Sequence, residues 1–290
     1  MTPTLSMDFG HRQGPRTWPA GEPGNATPHG ESGAGRVIAV LSPKGGTGKT
    51  TIAVNLAARL AAEKPSQSEP GTALVDLNLP FGDVALSLGT PPGTGFAAVG
   101  EVAPAERLAR HPRGLHVVAS PSAPDAAEAL SPRECAAVVR QLAHSHSWVV
   151  LDTAPGLNET TLTAMELSDL VVMPVTAEPC AIKSTRLALD CLRELGLTDA
   201  RLRLVINRAG GAHTLRPRDV ASILGAPVHA LLPESPDVVL AAQRGRILAW
   251  DWPDHPFAQA VGELVSRVDS AKGDRKVTSG VRGWLHRVAS

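Results

Sequence analysis

The stretch that most constrains the fold is glycine-rich and spans residues 42–51, with the sequence SPKGGTGKTT. It follows a short β-branched run at residues 37–41 and opens a helical pattern at residues 49–64. A strand, a glycine-rich turn and a helix in this order are what a phosphate-binding loop requires. Glycines let backbone amides approach phosphate oxygens, and the helix N-terminus adds the positive end of its dipole. The sequence therefore predicts a nucleotide site on an α/β fold.

The side chains of this loop supply the expected chemistry. Lys49 is positioned to neutralise the β- and γ-phosphates of a nucleotide, and the Thr50 hydroxyl is positioned to ligate Mg²⁺. The predicted nucleotide-binding residues of the loop are Gly45, Gly46, Thr47, Gly48, Lys49, Thr50 and Thr51.

The remainder of the chain alternates short β-branched runs with longer helical patterns, which is typical of a parallel sheet covered by helices. We predict strands at 37–41, 73–77, 115–119, 148–151, 170–175, 202–206 and 228–231, and helices that include 49–64, 132–144, 181–195 and 236–245. Several strands are continuous apolar runs, as expected when both faces are covered. The predicted fold is a single α/β domain with a mostly parallel sheet and helices on both faces.

Composition divides the chain into three predicted parts. Residues 1–35 are rich in Gly, Pro, Ser, Thr and His, and they predict a disordered tail. Residues 36–271 form the predicted P-loop domain, and residues 272–290 a linker with a short amphipathic helix. Because no apolar run reaches about 18 residues and no secretory signal is present, we expect a cytoplasmic protein, at most peripheral on the inner face of the cell membrane.

Two further segments carry acidic residues at predicted strand ends. Residues 148–155 form an apolar strand that ends in Asp152, and residues 73–86 carry Asp76, Asn78 and Asp83. An acid at the end of a strand beside a phosphate loop indicates a magnesium site. Thr50 and Asp152 are therefore the expected metal-binding residues.

The loop departs from the common phosphate-loop pattern, because Pro43 replaces the first glycine and a second lysine, Lys44, precedes Gly45. In this form it resembles the deviant Walker A motif of the MinD/ParA ATPases. The resemblance covers roughly residues 36–260 and implies binding of ATP with Mg²⁺, hydrolysis to ADP and phosphate, and a homodimer in the ATP-bound state. It also implies that Lys44 reaches the partner's nucleotide, and that Asp152, in a Walker B-like strand, holds Mg²⁺ through a water.

The resemblance assigns the remaining candidate residues. The candidate catalytic residues are Lys44, Lys49, Asp76 and Asn78. Asn207 and Arg208 resemble the family's segment that hydrogen-bonds adenine, and Pro233 and Glu234 resemble the loop that closes over the base. The segment around residues 80–83 is most similar to the CpaE/TadZ branch, whose members are associated with pilus assembly and localisation. These features imply a positioning or assembly switch with a protein partner still to be identified.

One position departs from the family pattern. Many relatives carry acids at the positions of both Asp76 and Asn78, and the second acid helps organise the attacking water. An amide orients water but carries no negative charge. We therefore expect slow, partner-stimulated hydrolysis, or the recruitment of Asp83. A scaffold that binds nucleotide without hydrolysing it is the alternative.

The C-terminal residues predict a surface-binding helix. Val281, Trp284, Leu285 and Val288 fall on one helical stripe, with Arg282 and Arg287 off it. This pattern suits shallow insertion into an anionic bilayer, and MinD-like proteins use a similar C-terminal anchor. Docking of the helix on its own domain or on a protein partner is the alternative.

A DNA-binding class remains as an alternative, whereas an electron-carrier class is disfavoured. Lys+Arg and Asp+Glu both total 28, so no global basic field indicates nucleic acid. A ParA-type DNA segregation ATPase would need a local basic stripe, and the candidate residues are Arg201, Arg203, Arg208, Arg216 and Arg218. An electron carrier like the nitrogenase iron protein would need two cluster-binding cysteines. We instead expect Cys135, Cys180 and Cys191 to be buried thiols.

Overall fold

The computed structural model describes residues 35–63, 71–89, 95–96, 108–111, 113–121, 123–210 and 215–270. Its centre is an eight-stranded sheet in the order β3-β4-β2-β5-β1-β6-β7-β8. The strands are β1 Arg36–Val40, β2 Thr72–Leu77, β3 Ala109–Arg110, β4 Leu115–Val118, β5 Trp148–Thr153, β6 Leu170–Thr176, β7 Leu202–Ala209 and β8 Val228–Pro233. All neighbouring strands are parallel except β3 and β4, which are antiparallel.

Helices pack on both faces of this sheet. In chain order they are α1 Lys49–Glu63, α2 Val84–Leu88, α3 Pro124–Glu128, α4 Pro132–Ser145, α5 Glu159–Leu167, α6 Pro179–Glu194, α7 Pro217–Leu224, α8 Pro236–Gln243, α9 Leu248–Asp251 and α10 Pro256–Asp269. One face is covered by α4, α5, α6 and α7. The other is covered by α1, α2, α8, α9 and α10. This arrangement confirms the predicted α/β class with a mostly parallel sheet.

Local sequence signals explain where several helices begin and end. Ser131 and Glu134 form a reciprocal capping box at the start of α4, and Asn158 accepts a hydrogen bond from the Thr161 amide at the start of α5. Gly225 ends α7 in the left-handed conformation, which glycine adopts without steric cost. Such short-range signals specify the ends of these helices within a few residues of sequence.

The seven predicted strands are all present, and most differ from the prediction by only one to three residues at an end. Strand β5 runs to Thr153 rather than to residue 151, so Asp152 lies within the sheet. Strand β3 was not predicted, because two residues at a sheet edge leave no alternating pattern to detect. The continuous apolar runs have the expected cause, since β1, β2, β5 and β6 are buried on both faces.

Several predictions concern residues outside the described ranges. Residues 1–34 of the predicted N-terminal tail, the predicted linker (272–280) and the predicted membrane-binding residues Val281, Trp284, Leu285 and Val288 all lie there. In the described part of the chain, no helix is both long and apolar enough to span a membrane.

Candidate functional site

The candidate site lies at the edge of the sheet where the parallel strands end. The carboxyl ends of β1, β2, β5, β7 and β8 meet at this edge, and the loops after them carry the predicted site residues. Open α/β sheets bind ligands at this edge, because loops from several strands converge there.

The glycine-rich loop between β1 and α1 has an open backbone. Gly46 and Gly48 have φ angles of 75° and 92°, a conformation that favours glycine. A Cβ atom added to Gly45 or Gly46 would meet nothing within 4 Å, so ligand atoms have room to approach the backbone. The Lys49 ammonium folds back over the loop and donates to the Lys44 carbonyl at 3.3 Å, whereas the Lys44 side chain is exposed.

The predicted metal ligands are in direct contact. Thr50 Oγ1 donates a 2.6 Å hydrogen bond to Asp152 Oδ2. Asp152 is fully buried, and its second oxygen, Oδ1, has no hydrogen-bond partner among the described residues. The pKa of Asp152 is raised to about 8, mainly by burial and also by the nearby charge of Asp76, while the Thr50 hydrogen bond and Lys49 oppose the shift.

Asp76 lies beside Asp152 because β2 and β5 are neighbours in the sheet. The two residues are directly paired in the parallel register. Asp76 accepts backbone hydrogen bonds from Asn78 and Val84, each at 3.1 Å. A Cβ atom on Gly82 would overlap the Asp76 carboxylate, so glycine is needed for this close approach. Burial raises the pKa of Asp76 to about 6, against the lowering effect of these amides.

Asn78, the uncharged residue in the segment after β2, makes a local hydrogen bond. The Asn78 side chain donates to the Phe81 carbonyl at 3.2 Å, which ties it to the turn that carries Gly82. Asp83 is exposed, and its charge contributes to the raised pKa of both Asp76 and Asp152. The three acidic positions are therefore electrostatically coupled.

The structure brings the predicted base-binding residues to the same edge. Asn207 is buried, and its amide donates to the Thr47 carbonyl of the glycine-rich loop at 2.9 Å. A Cβ atom on Gly48 would overlap the Asn207 side chain, so the loop and β7 are closely packed here. Arg208 follows in a left-handed conformation, with φ of 55°.

Pro233 and Glu234, the last two predicted site residues, lie next to β7 through backbone contacts. Pro233 pairs with Ala209 across β8 and β7, and the Glu234 amide donates to the Ala209 carbonyl at 3.1 Å. Asn207, Arg208, Pro233 and Glu234 are thus contributed by two adjacent strand ends. The Asn207 contact with the loop was not anticipated from the sequence.

Two buried serines at this edge were not among the predicted site residues. Ser42 Oγ and Ser120 Oγ are buried with no hydrogen-bond partner in the described part of the chain. The Ser42 carbonyl accepts from the Gly156 amide at 3.2 Å, which links the loop to the turn after β5. Ser42 directly precedes Pro43 in the loop, whereas nothing in the local sequence marks Ser120, which lies next to Asp76.

These residues fit Mg²⁺ and a nucleotide phosphate chain. A buried carboxylate with an unpartnered oxygen lies next to a hydroxyl, and both groups are ligand types that Mg²⁺ accepts. Lys49 supplies a cation beside them, and burial lowers its pKa, while Asp152 has the opposite effect. The open backbone at Gly45 and Gly46 supplies the cradle.

The five arginines proposed as a DNA-binding stripe do not share one surface. Arg201 is buried and donates to the carbonyls of Met165 and Ser168. Arg203 is near the start of β7 and Arg208 near its end, so they lie towards opposite edges of the sheet. Arg216 and Arg218 lie within salt-bridge distance of Asp219. Proximity in the sequence did not predict a shared surface, because β7 runs from one edge of the sheet to the other and so separates Arg203 from Arg208.

The expectation of three buried thiols was also wrong in part. Cys135 is buried in α4, but Cys180 is exposed and Cys191 is half-buried, both in α6. Cys180 and Cys191 are eleven residues apart on α6. They therefore lie about 16 Å apart along the helix axis, because each residue rises 1.5 Å.

Known proteins are similar to this chain in sequence and in fold. A family model described as the CobQ/CobB/MinD/ParA nucleotide binding domain matches residues 38–67. The chromosome-partitioning ATPase Soj of Thermus thermophilus is 31% identical over 247 residues, which cover 80% of this chain and 95% of Soj. The septum site-determining protein MinD of Thermotoga maritima is 27% identical over 223 residues, 73% of this chain and 80% of that protein.

A solved structure shows the same fold. MinD of Pyrococcus horikoshii, in complex with Mg-ADP, superimposes with a TM-score of 0.70 at 22% identity, covering 84% of this chain and 99% of that one. Soj exceeds 30% identity over nearly its whole length, and the glycine-rich loop lies in the matched region. The chain therefore belongs to the MinD/ParA family of P-loop ATPases.

Proposed function

We propose that this protein binds Mg-ATP, dimerises in the ATP-bound state and acts as a nucleotide-driven positioning or assembly switch of the CpaE/MinD type. The observation that carries the proposal is the contact between Thr50 and Asp152, with the second Asp152 oxygen buried and unpartnered. An unpartnered buried carboxylate oxygen is costly unless a cation or a donor completes it. Thr50 and Asp152 would hold Mg²⁺ here, and the ion would supply neutralisation of the phosphate charge.

Each side chain of the loop has a separate role in this proposal. Lys49 binds the β- and γ-phosphates, and it exchanges its contact with the Lys44 carbonyl for phosphate oxygens. Asn207 holds the loop through Thr47 and presents its remaining polar groups towards the base. Thr51, Arg208, Pro233 and Glu234 complete the nucleotide-binding set.

Lys44 is the residue that couples nucleotide to dimerisation. Its side chain is exposed, unlike the buried Lys49, and it extends from the same loop. An exposed cation at the phosphate site is available to a second protomer, where it stabilises charge on the transferred phosphoryl group. The dimer thereby depends on the γ-phosphate, and hydrolysis releases it.

The alternative of a non-hydrolysing scaffold is supported by one observation. Asn78 donates its amide to the Phe81 carbonyl and brings no charge to the site, while Asp76 is engaged by two backbone amides. Neither group is poised to accept a proton from water without rearrangement of residues 78–83. Slow turnover that a protein partner accelerates by moving this segment agrees with the same geometry.

The experiment that tests the proposal measures ATP hydrolysis and oligomeric state together, with ATP and with ADP. The unaltered chain is compared with Lys44→Ala and with a control, Lys183→Ala, which removes an exposed lysine on α6. We expect an ATP-specific dimer and turnover in the unaltered chain and the control. Lys44→Ala should bind a fluorescent ATP analogue normally but lose both.

Two results would change the proposal. A stable ATP dimer without turnover would support the scaffold and make Asn78 the first residue to alter. Failure to bind ATP, or identical oligomers with ATP, with ADP and without nucleotide, would refute the switch.

A further inference from the structure

Ser120 follows strand β4 and lies at the same edge of the sheet as the nucleotide site. Strands β2 and β4 are parallel neighbours, and Val75 pairs with Val118 in their register. Asp76 and Ser120 come shortly after that pair, so both lie where their strands end. The main-chain amide of Ser120 donates a hydrogen bond to the Asp76 carboxylate. Ser120 is therefore a direct neighbour of the acidic pair at the site.

The Ser120 side chain is buried but makes no hydrogen bond that holds the fold. Only 7% of the residue is exposed, and among the residues that the structure describes its Oγ atom has no hydrogen-bond partner. A buried hydroxyl without a partner costs stability, because it gives up its hydrogen bonds to water. A serine with a purely structural role would use this hydroxyl within the fold. A bound water or ligand at the site accounts for it instead.

Tight packing fixes the backbone beside Ser120. A Cβ atom added to Gly95 would overlap the amide and the carbonyl of Ala119, so glycine allows residues 95–96 to lie directly on the end of β4. Phe96 is buried in the hydrophobic core on that side of the sheet. The Ser120 amide is therefore a donor in a fixed position.

The other two main-chain donors to Asp76 come from a different part of the molecule. The amides of Asn78 and Val84, each at 3.1 Å, belong to the segment after β2. Gly82 of that segment lies against the Asp76 carboxylate and covers it. The proposed function requires this segment to move before water reaches Asp76. Because Ser120 lies on β4, its amide still holds Asp76 when the other two donors leave.

We propose that Ser120 is a further catalytic residue for ATP hydrolysis, whose hydroxyl binds the attacking water beside the Asp76 carboxylate that its amide holds. The inference rests on the proposed ATPase activity of this site. Two hydrogen bonds orient the water: the Ser120 hydroxyl donates to one of its lone pairs, and the water donates to Asp76. The other lone pair is then directed at the γ-phosphorus.

The step balances without a change of protonation at either residue. The water oxygen forms a bond to the γ-phosphorus, and the bond from that phosphorus to the bridging oxygen of ADP breaks. One water proton stays on the transferred oxygen, and the other passes to another oxygen of the released phosphate. Ser120 and Asp76 supply position only, which is the main contribution that a protein makes to phosphoryl transfer.

Ser120 offers what the segment after β2 does not. The Asn78 amide donates to the Phe81 carbonyl at 3.2 Å, and Asp83 is exposed. Neither side chain is fixed at the Asp76 carboxylate. A hydroxyl on the neighbouring strand does not depend on the conformation of that segment, so it can orient water as soon as the carboxylate is uncovered.

The test compares the full chain with Ser120→Ala, Ser120→Thr and the control Ser222→Ala, an exposed serine on α7. Steady-state ATP turnover, affinity for a fluorescent ATP analogue and thermal unfolding are measured for each. In Ser120→Ala we expect kcat to fall about 10- to 100-fold, the cost of a misplaced reacting group, with KM and nucleotide affinity unchanged. Ser120→Thr keeps the hydroxyl and should retain more turnover. The control should match the unaltered chain.

Thermal unfolding separates catalysis from folding. Ser120→Ala removes a buried hydroxyl without a partner, so the nucleotide-free variant should have a Tm no lower than that of the unaltered chain. A double-mutant cycle with Asp76→Asn tests whether the two residues hold the same water. In the Asp76→Asn background, Ser120→Ala should lower kcat little further, because groups that act together are not additive.

The outcomes are distinguishable. Unchanged turnover in Ser120→Ala would overturn this inference and leave the proposed function supported. Equal losses of kcat in the two backgrounds would also overturn it. So would a lower Tm that accompanies the loss of turnover in both Ser120→Ala and Ser120→Thr, because it would assign the residue a structural role. No turnover by an unaltered chain that binds Mg-ATP would refute the hydrolytic switch itself, and this inference with it.

Discussion

Thr50 and Asp152 lie 102 positions apart in the chain, yet the Thr50 hydroxyl donates a 2.6 Å hydrogen bond to the Asp152 carboxylate. The contact forms because β1, which leads into the loop, pairs directly with β5, which ends near Asp152. This hydrogen bond links the phosphate loop to the acidic end of β5. The first two predictions follow from this pair.

Asp152→Asn should weaken Mg²⁺-dependent nucleotide binding by about 10- to 100-fold, the usual cost of losing a group that supports a metal through its outer shell. The amide keeps the shape and can still accept from Thr50, so the fold should persist. Titration of a fluorescent ATP analogue with Mg²⁺ and with a chelator measures the effect. Asp254→Asn, an exposed control, should behave like the unaltered chain. Equal affinities for the Asp152 variant and the control would contradict the metal assignment.

The nucleotide-free protein should lose stability as pH rises. The pKa of Asp152 is about 8 in the folded chain and 3.8 ordinarily, so the folded state binds more protons than the unfolded state between these values. The Asp152 contribution to the free energy of unfolding therefore falls as pH rises across that window. Urea unfolding in the presence of a chelator measures it. The gain in stability from Asp152→Asn should grow with pH up to about 8; a pH-independent difference would refute the burial argument.

Asn78→Asp should raise the ATP turnover number by about tenfold or more, because a carboxylate adjacent to Asp76 can accept a proton from the attacking water. Asn78→Gln keeps a neutral amide and should leave turnover slow. Steady-state phosphate release at saturating Mg-ATP compares the two variants. An unchanged rate in Asn78→Asp would move the limiting step to partner binding or dimerisation.

Gly82→Ala should destabilise the segment after β2, because the new methyl group would overlap the Asp76 carboxylate. Overpacking of this kind costs about 1–3 kcal/mol of unfolding free energy. Gly45→Ala is the matched control, since a Cβ atom there meets nothing within 4 Å. Without nucleotide, the control should unfold like the unaltered chain. If both variants are equally stable, residues 80–83 do not pack against Asp76 in solution.

The sequence alone was sufficient to predict the phosphate loop, the class of fold and all seven of the longer strands. These features depend on signals that act over a few residues: the short β-branched and apolar runs of the strands, the conformational freedom of Gly46 and Gly48, and the lysine and hydroxyl at the start of α1. Local physics therefore determined the parts of the molecule from which the site is built.

Only the tertiary structure decided how distant residues meet. The strand order placed Asp76 in register with Asp152, brought Asn207 onto the Thr47 carbonyl, and separated Arg203 from Arg208 towards opposite edges. It also placed the Ser120 amide on the Asp76 carboxylate, although no short motif contains the two residues. Contacts across more than a hundred residues depend on which strands pair and in what register. Strand pairing and register depend on packing across the whole sheet, so no short stretch of the sequence predicts them.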